Sequence, residues 1–169
     1  VHESLAEEFA TKLAARMGAL VVGKGTKKGV DVGPLITGKA RDKVDELVQD
    51  AVGKGARVLT GGAPVPGKGF FYAPTVLADV PADSRCLGEE IFGPVISAIQ
   101  FEDVEDAIRI ANDSNYGLSG SVWTGDGAGV GLDVAKRIRT GTFNVNGFMP
   151  EPCAPFGGYK QSGGGRAVS

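Results

Sequence analysis

The amino-acid sequence predicts an α/β fold with a mostly parallel sheet and crossover helices. The first observation is the stretch from residue 94 to residue 145, where strand-like apolar runs alternate with amphipathic helical runs. This strand–helix–strand–helix–strand order favours right-handed crossovers onto a parallel sheet. The second observation is the length of 169 residues, which allows one domain with a sizeable core. The third is the 27 glycines, which lie between the periodic segments and therefore indicate turns.

Two amphipathic helices are predicted in the amino-terminal third. The first begins near Ser4, because Ser4 and Glu7 have the spacing of a capping box, and it is expected to end at Gly18. Its inward face is expected to carry Leu5, Ala6, Phe9, Ala10, Leu13 and Met17. The second helix covers roughly residues 37–53. Its inward face is expected to carry Val44, Leu47, Val48, Ala51 and Val52.

The predicted strands are short. Residues 57–60 form one, and residues 70–77 form a second that is expected at a sheet edge, because Pro74 cannot donate a backbone hydrogen bond. The carboxy-terminal alternation is predicted to consist of strands 95–99, 119–123 and 142–145, a helix capped by Asp103 and a helix over 128–138. We therefore divide the chain into a partial α/β domain, 1–147, and a Gly/Pro-rich tail, 148–169, without strand or helical period.

Composition excludes several classes of function. The net charge is −2, from 18 basic and 20 acidic residues, so no broad basic face for nucleic acid is expected. No apolar run reaches the roughly 18–20 residues of a membrane helix and no signal peptide is visible, so we expect a cytoplasmic protein without a membrane partner. Cys86 and Cys153 match no metal-ligand spacing, and no metal site is expected.

Two adjacent carboxylates, Glu89 and Glu90, stand directly before a predicted strand in the segment EEIFGP, residues 89–94. Because adjacent carboxylates repel, at least one of them requires a hydrogen-bond partner. One interpretation is a solvated turn with Phe92 as a core anchor. The other is a carboxylate that accepts both hydroxyls of a ribose, with the aromatic ring packed beside it.

This segment, read with five others in the same order, resembles the aldehyde dehydrogenase superfamily over essentially the whole chain. The other five are GPLI at 33–36, FYAPTV at 71–76, ANDSNYGL at 111–118, GTFNVN at 141–146 and PFGGYKQSG at 155–163. The resemblance implies the carboxy-terminal part of an aldehyde dehydrogenase catalytic domain. It also implies that the parent protein oxidises an aldehyde to a carboxylate through a cysteine thiohemiacetal and thioester, with NAD or NADP as cofactor.

The resemblance also assigns roles to residues of this chain. It implies that Glu90 binds the nicotinamide ribose hydroxyls and that Phe92 packs against the ribose and nicotinamide. It implies that Phe156 lines the aldehyde tunnel, and we expect Cys153, three residues before it, and Phe148 to line the tunnel as well. It implies that the loop is shaped by Asn146, Gly157 and Gly158. A homo-oligomer, either a dimer or a tetramer, is implied for the parent protein.

Three departures from the family pattern affect the expected activity. The Gly-Gln-x-Cys motif with the nucleophile does not occur, nor does the general-base glutamate; both are expected upstream of Val1. Ala167 stands where the family has glutamate, and the chain stops at Ser169, before the family's last strand. We therefore expect residues 1–169 alone to be inactive, with no catalytic residue of their own.

Two alternatives stay open from the sequence. One is a non-catalytic remnant that acts as a binding or assembly module, and the other is an acylating dehydrogenase that transfers its thioester to coenzyme A. The choice of aldehyde and the choice between NAD and NADP depend on residues outside this stretch. As nucleophiles, Cys86 and Cys153 are both disfavoured, because neither stands at the family's catalytic position.

Overall fold

A computed structural model describes residues 1–147 and 155–165. The chain forms two compact units, Val1–Gln100 and Phe101–Ser169. The predicted boundary after residue 147 lies within the second unit. Each unit combines helices with β-strands, and this confirms the predicted α/β class.

The first unit contains three helices and one three-stranded sheet among the described residues. Its elements are α1 (Glu3–Gly18), α2 (Gly38–Gly53), β1 (Arg57–Thr60), β2 (Thr75–Ala78), α3 (Arg85–Gly88) and β3 (Val95–Ala98). The strands lie in the order β1-β2-β3, with β1 antiparallel and β3 parallel to the central β2.

The core of the first unit is built on α2, where the predicted helix is confirmed. Thr37 caps it by accepting a hydrogen bond from the Ala40 amide at 3.1 Å. Of its predicted inward face, Val44, Leu47, Val48 and Ala51 are completely buried. Burial of each large apolar side chain stabilises the fold by about 1.5–3 kcal/mol, so this face anchors the unit.

Two details predicted for α1 are wrong. The helix begins at Glu3, near the predicted start, but its N-cap is His2 and not Ser4: His2 Nδ1 accepts a hydrogen bond from the Ser4 amide at 3.2 Å. Only Ala6 and Ala10 of the predicted face are buried and Leu13 and Met17 are half-buried, whereas Leu5 and Phe9 are 57% and 46% exposed. The reason is that α1 packs against β1 and β2, where small side chains allow a close approach.

The edge position predicted for residues 70–77 is also wrong. The strand β2 begins at Thr75, after Pro74, and it lies in the centre of the sheet with all four residues buried. Pro74 has no backbone N–H to donate, but it lies outside the strand, so no hydrogen bond between the strands is lost. The central β2 pairs with β3. The prediction that β3 shares a sheet with the strands at 119–123 and 142–145 is therefore wrong.

The second unit contains two α-helices and two pairs of strands among the described residues. Its elements are α4 (Val104–Asn112), β4 (Tyr116–Gly117), β5 (Ser119–Val122), a single π-helical turn (Gly127–Gly131), α5 (Leu132–Arg137), β6 (Thr142–Val145) and β7 (Tyr159–Lys160). The strands β5 and β6 are parallel, as predicted. The strand β7 pairs antiparallel with β4, so the prediction of a tail without strands is wrong.

In the second unit, aspartate side chains fix where the helices begin, because they accept hydrogen bonds from amides of the first turn. Asp103 caps α4 by accepting a hydrogen bond from the Asp106 amide at 2.8 Å, as predicted. Asp126 accepts from the amides of Gly129 at 2.9 Å and Val130 at 3.2 Å, so the predicted helix 128–138 starts as the π-helical turn. Over the described residues, no helix is long and apolar enough to cross a membrane.

Candidate functional site

The segment 89–94 connects α3 to β3, and its two carboxylates have different environments. Glu89 accepts a hydrogen bond from Arg85 Nε at 2.8 Å and forms an ion pair with Lys43 of α2. The hydrogen bond from Arg85, followed by that from Lys43, lowers the pKa of Glu89 from 4.5 to about 2. The partner that the sequence required for one of the two glutamates is therefore present at Glu89.

Glu90 is exposed and has no hydrogen bond or ion pair to any residue in the described part of the chain. Two residues further on, Phe92 is 77% exposed, so it is not the core anchor of the first interpretation. Its φ of 51° lies in the left-handed region. That region costs a non-glycine residue on the order of 1–2 kcal/mol, and such strain is concentrated at functional sites. The segment therefore presents an unpaired carboxylate and an aromatic ring to the surface of the first unit.

In the second unit, the tail loop 155–165 is held closely to the residues before β6. Phe156 is 55% exposed, Gly157 is half-buried and Gly158 is buried. A Cβ atom at Gly141 would lie 1.6 Å from the Gly157 carbonyl oxygen, so only glycine fits at position 141. The loop backbone thus passes directly over Gly141.

Three hydrogen-bonded residues fix the far side of this loop. The Lys160 Nζ donates to the carbonyl oxygens of Asn112 and Ser114, both at 2.7 Å, at the carboxy-terminal end of α4. The Gly117 amide donates to Ser162 Oγ at 3.1 Å, and the Gln161 amide donates to the Asn115 carbonyl at 2.9 Å. The loop is therefore tied both to the end of α4 and to β4.

Asn146 follows β6 and joins it to the loop after β5. Its side-chain Oδ1 accepts from the Thr124 amide and its Nδ2 donates to the Thr124 carbonyl, both at 2.8 Å. Its φ of 53° is left-handed, a conformation that asparagine tolerates better than most residues. This pairing fixes the loop after β5 at the carboxyl ends of the two parallel strands.

The remaining candidate residues are Phe148 and the two cysteines. Phe148 and Cys153 lie outside the described residues. Cys86 is buried, its Sγ lies 3.8 Å from Ser97 Oγ, and burial raises the pKa of its thiol. A buried thiol of this kind is a poor nucleophile. Among the described residues no group of three His, Cys, Asp or Glu side chains is arranged to hold a metal ion.

Three residues that shape these sites were missed from the sequence, namely Lys43, Arg85 and Lys160. Lys43 precedes Glu89 by 46 positions, and no periodicity connects the two. Lys160 is part of the quoted PFGGYKQSG segment, but the sequence does not indicate that its ammonium binds the end of α4. A signal was available only for Arg85, which stands four residues before Glu89 at helical spacing.

The whole chain is similar in sequence and fold to known proteins. A model of the aldehyde dehydrogenase family matches residues 1–169. A succinate-semialdehyde dehydrogenase of Paenarthrobacter nicotinovorans is 51% identical over 98% of this chain, which spans 37% of that protein. The crystal structure of Mycobacterium tuberculosis aldehyde dehydrogenase complexed with NAD⁺ is 42% identical, with a TM-score of 0.93 over 99% of this chain and 35% of that one. An Escherichia coli NADP-dependent enzyme is 40% identical, with a TM-score of 0.94 over 100% of this chain and 35% of that one.

Proposed function

Because this chain belongs to the aldehyde dehydrogenase family, we propose that it forms the cofactor-positioning and substrate-lining part of an NAD(P)-dependent aldehyde dehydrogenase. The parent protein would oxidise an aldehyde to a carboxylate through a cysteine thiohemiacetal and thioester. The chain spans about a third of the length of the relatives compared above. The nucleophilic cysteine and the general-base glutamate are therefore proposed to come from a part of the protein other than residues 1–169.

The observation that supports a cofactor site is the pair formed by Glu90 and Phe92, which we call the cofactor clamp. Glu90 is exposed and is not bound by any described residue, whereas the neighbouring Glu89 is bound by two cations. An unpaired carboxylate has two oxygens for the two hydroxyls of a ribose. The exposed ring of Phe92 provides an apolar surface for a sugar or a nicotinamide. These residues fit a nicotinamide cofactor without rearrangement of the Glu89 ion pairs.

The role proposed for the clamp is orientation. A bound NAD⁺ or NADP⁺ supplies the hydride acceptor of the oxidation. Glu90 would fix the ribose through its hydroxyls, and Phe92 would limit the rotation of the ring next to it. Correct orientation of reacting groups accounts for several kcal/mol of a typical barrier reduction, so both residues affect the rate without proton transfer of their own.

For the second unit we propose that Phe156 lines the aldehyde tunnel, together with Phe148 and Cys153. The exposed Phe156 ring directly precedes the glycines that pass over Gly141. Asn146, Gly157 and Gly158 would hold the loop backbone in place. Succinate semialdehyde is the first aldehyde to test, because the relative that is 51% identical is named for it.

We further propose that residues 1–169 alone do not oxidise aldehydes. Cys86 is buried, with a raised thiol pKa, and lies in the α3 turn of the core. The test is to incubate the purified 169-residue chain with NAD⁺ or NADP⁺ and succinate semialdehyde and to follow reduced cofactor. We expect the rate of buffer alone, and turnover above that rate would contradict this part of the proposal.

The clamp is tested in the complete dehydrogenase chain by Glu90→Gln, with Glu3→Gln in the exposed first turn of α1 as control. We expect kcat/KM for the cofactor to fall about tenfold or more in Glu90→Gln and to stay unchanged in Glu3→Gln. If both variants keep the kcat/KM of the unmodified enzyme for the cofactor, Glu90 does not bind the ribose and the cofactor clamp is wrong. Cytoplasmic location and homo-oligomeric assembly of the parent protein remain predictions.

A further inference from the structure

We propose that Glu89 is a positioning residue of the dehydrogenase: held between Lys43 of α2 and Arg85 of α3, it fixes the backbone from which the cofactor clamp projects. This inference rests on the proposed function of Glu90 and Phe92. It assigns to the first carboxylate of the pair a role different from that of the second. The side chain of Glu89 does not touch the cofactor in this account, and it acts through the position of its neighbours.

The helix α2 holds the start of α3, just before the segment 89–94. The Asp50 carboxylate accepts a hydrogen bond from the Arg85 amide at 2.9 Å, at the first residue of α3. Lys54, one turn further along α2, donates to the Asp83 carbonyl at 2.6 Å. The one-turn helix α3 thus starts from a point fixed by Asp50 of α2 and by Lys54, the residue that caps the end of α2.

The same helix holds the segment 89–94 itself. Lys43 precedes Asp50 by seven residues, or two helical turns, so both project from the same face of α2. The Lys43 ammonium pairs with Glu89 immediately after α3. Val44 contacts the segment further on, because a Cβ atom at Gly93 would lie 2.7 Å from Val44 Cγ2. Residues 85, 89 and 93 are therefore fixed in turn along one face of α2.

Glu90 and Phe92 lie between the last two of these fixed points. A left-handed Phe92 is unfavourable by itself and persists only where the flanking backbone leaves no alternative. The Glu89 ion pair on one side and the Gly93 contact on the other supply that constraint. The two cations also offset the charge of Glu89, which allows a second carboxylate at the next position.

The test uses Glu89→Gln in the complete dehydrogenase chain, with Asp79→Asn as the matched control. Both carboxylates accept hydrogen bonds from an arginine and a second side chain, and their side-chain exposures are similar, 39% and 43%. Asparagine also tolerates the left-handed φ of 52° at position 79. For each variant, kcat, KM for the cofactor, KM for the aldehyde and Tm are measured.

We expect Glu89→Gln to lower kcat/KM for the cofactor about tenfold, to leave KM for the aldehyde unchanged and to shift Tm no more than the control does. Lys43→Met is expected to have the same effect. The double variant Lys43→Met/Glu89→Gln should have a kcat/KM for the cofactor no lower than that of either single variant. Equal effects of Glu89→Gln and Asp79→Asn on the cofactor parameters would overturn the proposal, as would additive losses in the double variant.

Glu90→Gln in the same series separates this inference from the function on which it rests. If Glu90→Gln raises KM for the cofactor and Glu89→Gln does not, the cofactor clamp stands and the positioning role of Glu89 is wrong. If Glu90→Gln leaves the cofactor parameters unchanged, the clamp itself is wrong, and the role of Glu89 is overturned with it.

Discussion

Gly93 passes Val44 so closely that a Cβ atom at position 93 would lie 2.7 Å from Val44 Cγ2 and 3.1 Å from Val44 Cγ1. Val44 is completely buried on α2 and cannot move aside without disturbing the core of the first unit. The contact brings the segment after Phe92 against the same helix that binds Glu89. The glycine is therefore required by packing, since its backbone φ is not left-handed.

Gly93→Ala is expected to destabilise the protein by about 1–3 kcal/mol, because the added methyl overpacks the core at Val44. Urea unfolding followed by circular dichroism measures the change. Gly88→Ala is the control, since no atom lies within 4 Å of a Cβ at that position at the end of α3. Equal stabilities of the two variants would show that the segment does not rest on Val44 in solution.

The Glu89 ion pairs predict a pH dependence of stability. Hydrogen bonds from Arg85 and Lys43 hold the pKa of Glu89 at about 2, below its ordinary value of 4.5. A carboxylate whose folded pKa is lowered stabilises the fold above its unfolded pKa, and this contribution is lost as the pH falls through the folded pKa. The stability difference between the unmodified protein and Glu89→Gln should thus be constant above pH 4.5 and should shrink between pH 4.5 and about 2.

That difference is measured by urea unfolding of both proteins at neutral pH and at successively lower pH values. Carboxylates with lowered pKa that lie away from Arg85 and Lys43, among them Glu8 and Glu105, contribute equally to both proteins and cancel. A difference that stays constant down to the acid limit of folding would mean that Glu89 is not paired as described.

The Asn146 side chain is expected to stabilise the second unit through two hydrogen bonds to Thr124 and through its tolerance of a left-handed backbone. Asn146→Ala should cost about 2–3 kcal/mol, because both hydrogen bonds are lost and alanine is unfavourable at this φ. Asn146→Gly loses only the hydrogen bonds and should be more stable than Asn146→Ala by about 1 kcal/mol. Thermal unfolding compares the three proteins, and identical Tm values would contradict the pairing.

Lys160 is expected to hold the strand β7 to the rest of the second unit. In Lys160→Met the carbonyl oxygens of Asn112 and Ser114 lose their shared donor, so the turn after β7 should open more often. We expect the Gln161 amide, which donates to the Asn115 carbonyl, to exchange its hydrogen roughly tenfold faster. Lys136→Met on the exposed face of α5 is the control, and unchanged exchange in Lys160→Met would contradict the prediction.

Much of the fold was predictable because local signals and packing agree. The helix α2 has an apolar face at regular spacing and a threonine at its start, and both features survive in the structure. The face of α1 was not predictable in the same way. Its larger residues Leu5 and Phe9 are exposed, because contact with the sheet selects the small Ala6 and Ala10. Hydrophobicity alone does not reveal how closely two elements approach.

The candidate site was predictable only in part. The motif identifies Glu90 and Phe92, but the left-handed φ of Phe92 and the exposure of both side chains follow only from the three-dimensional arrangement. The division of roles between Glu89 and Glu90 depends on Lys43, which lies on a helix 46 residues earlier. Ion pairs over such a distance depend on the tertiary fold and leave no periodic trace in the sequence.

The cofactor clamp is tested most directly by a cycle that combines Glu90→Gln with a cofactor lacking one hydroxyl of the nicotinamide ribose. Measured in the complete dehydrogenase, kcat/KM for the cofactor should fall about tenfold when either the carboxylate or the hydroxyl is removed. Removal of both should lower it little further, because the two groups form one interaction. If the two losses instead multiply, Glu90 does not bind the ribose hydroxyl and the central claim is wrong.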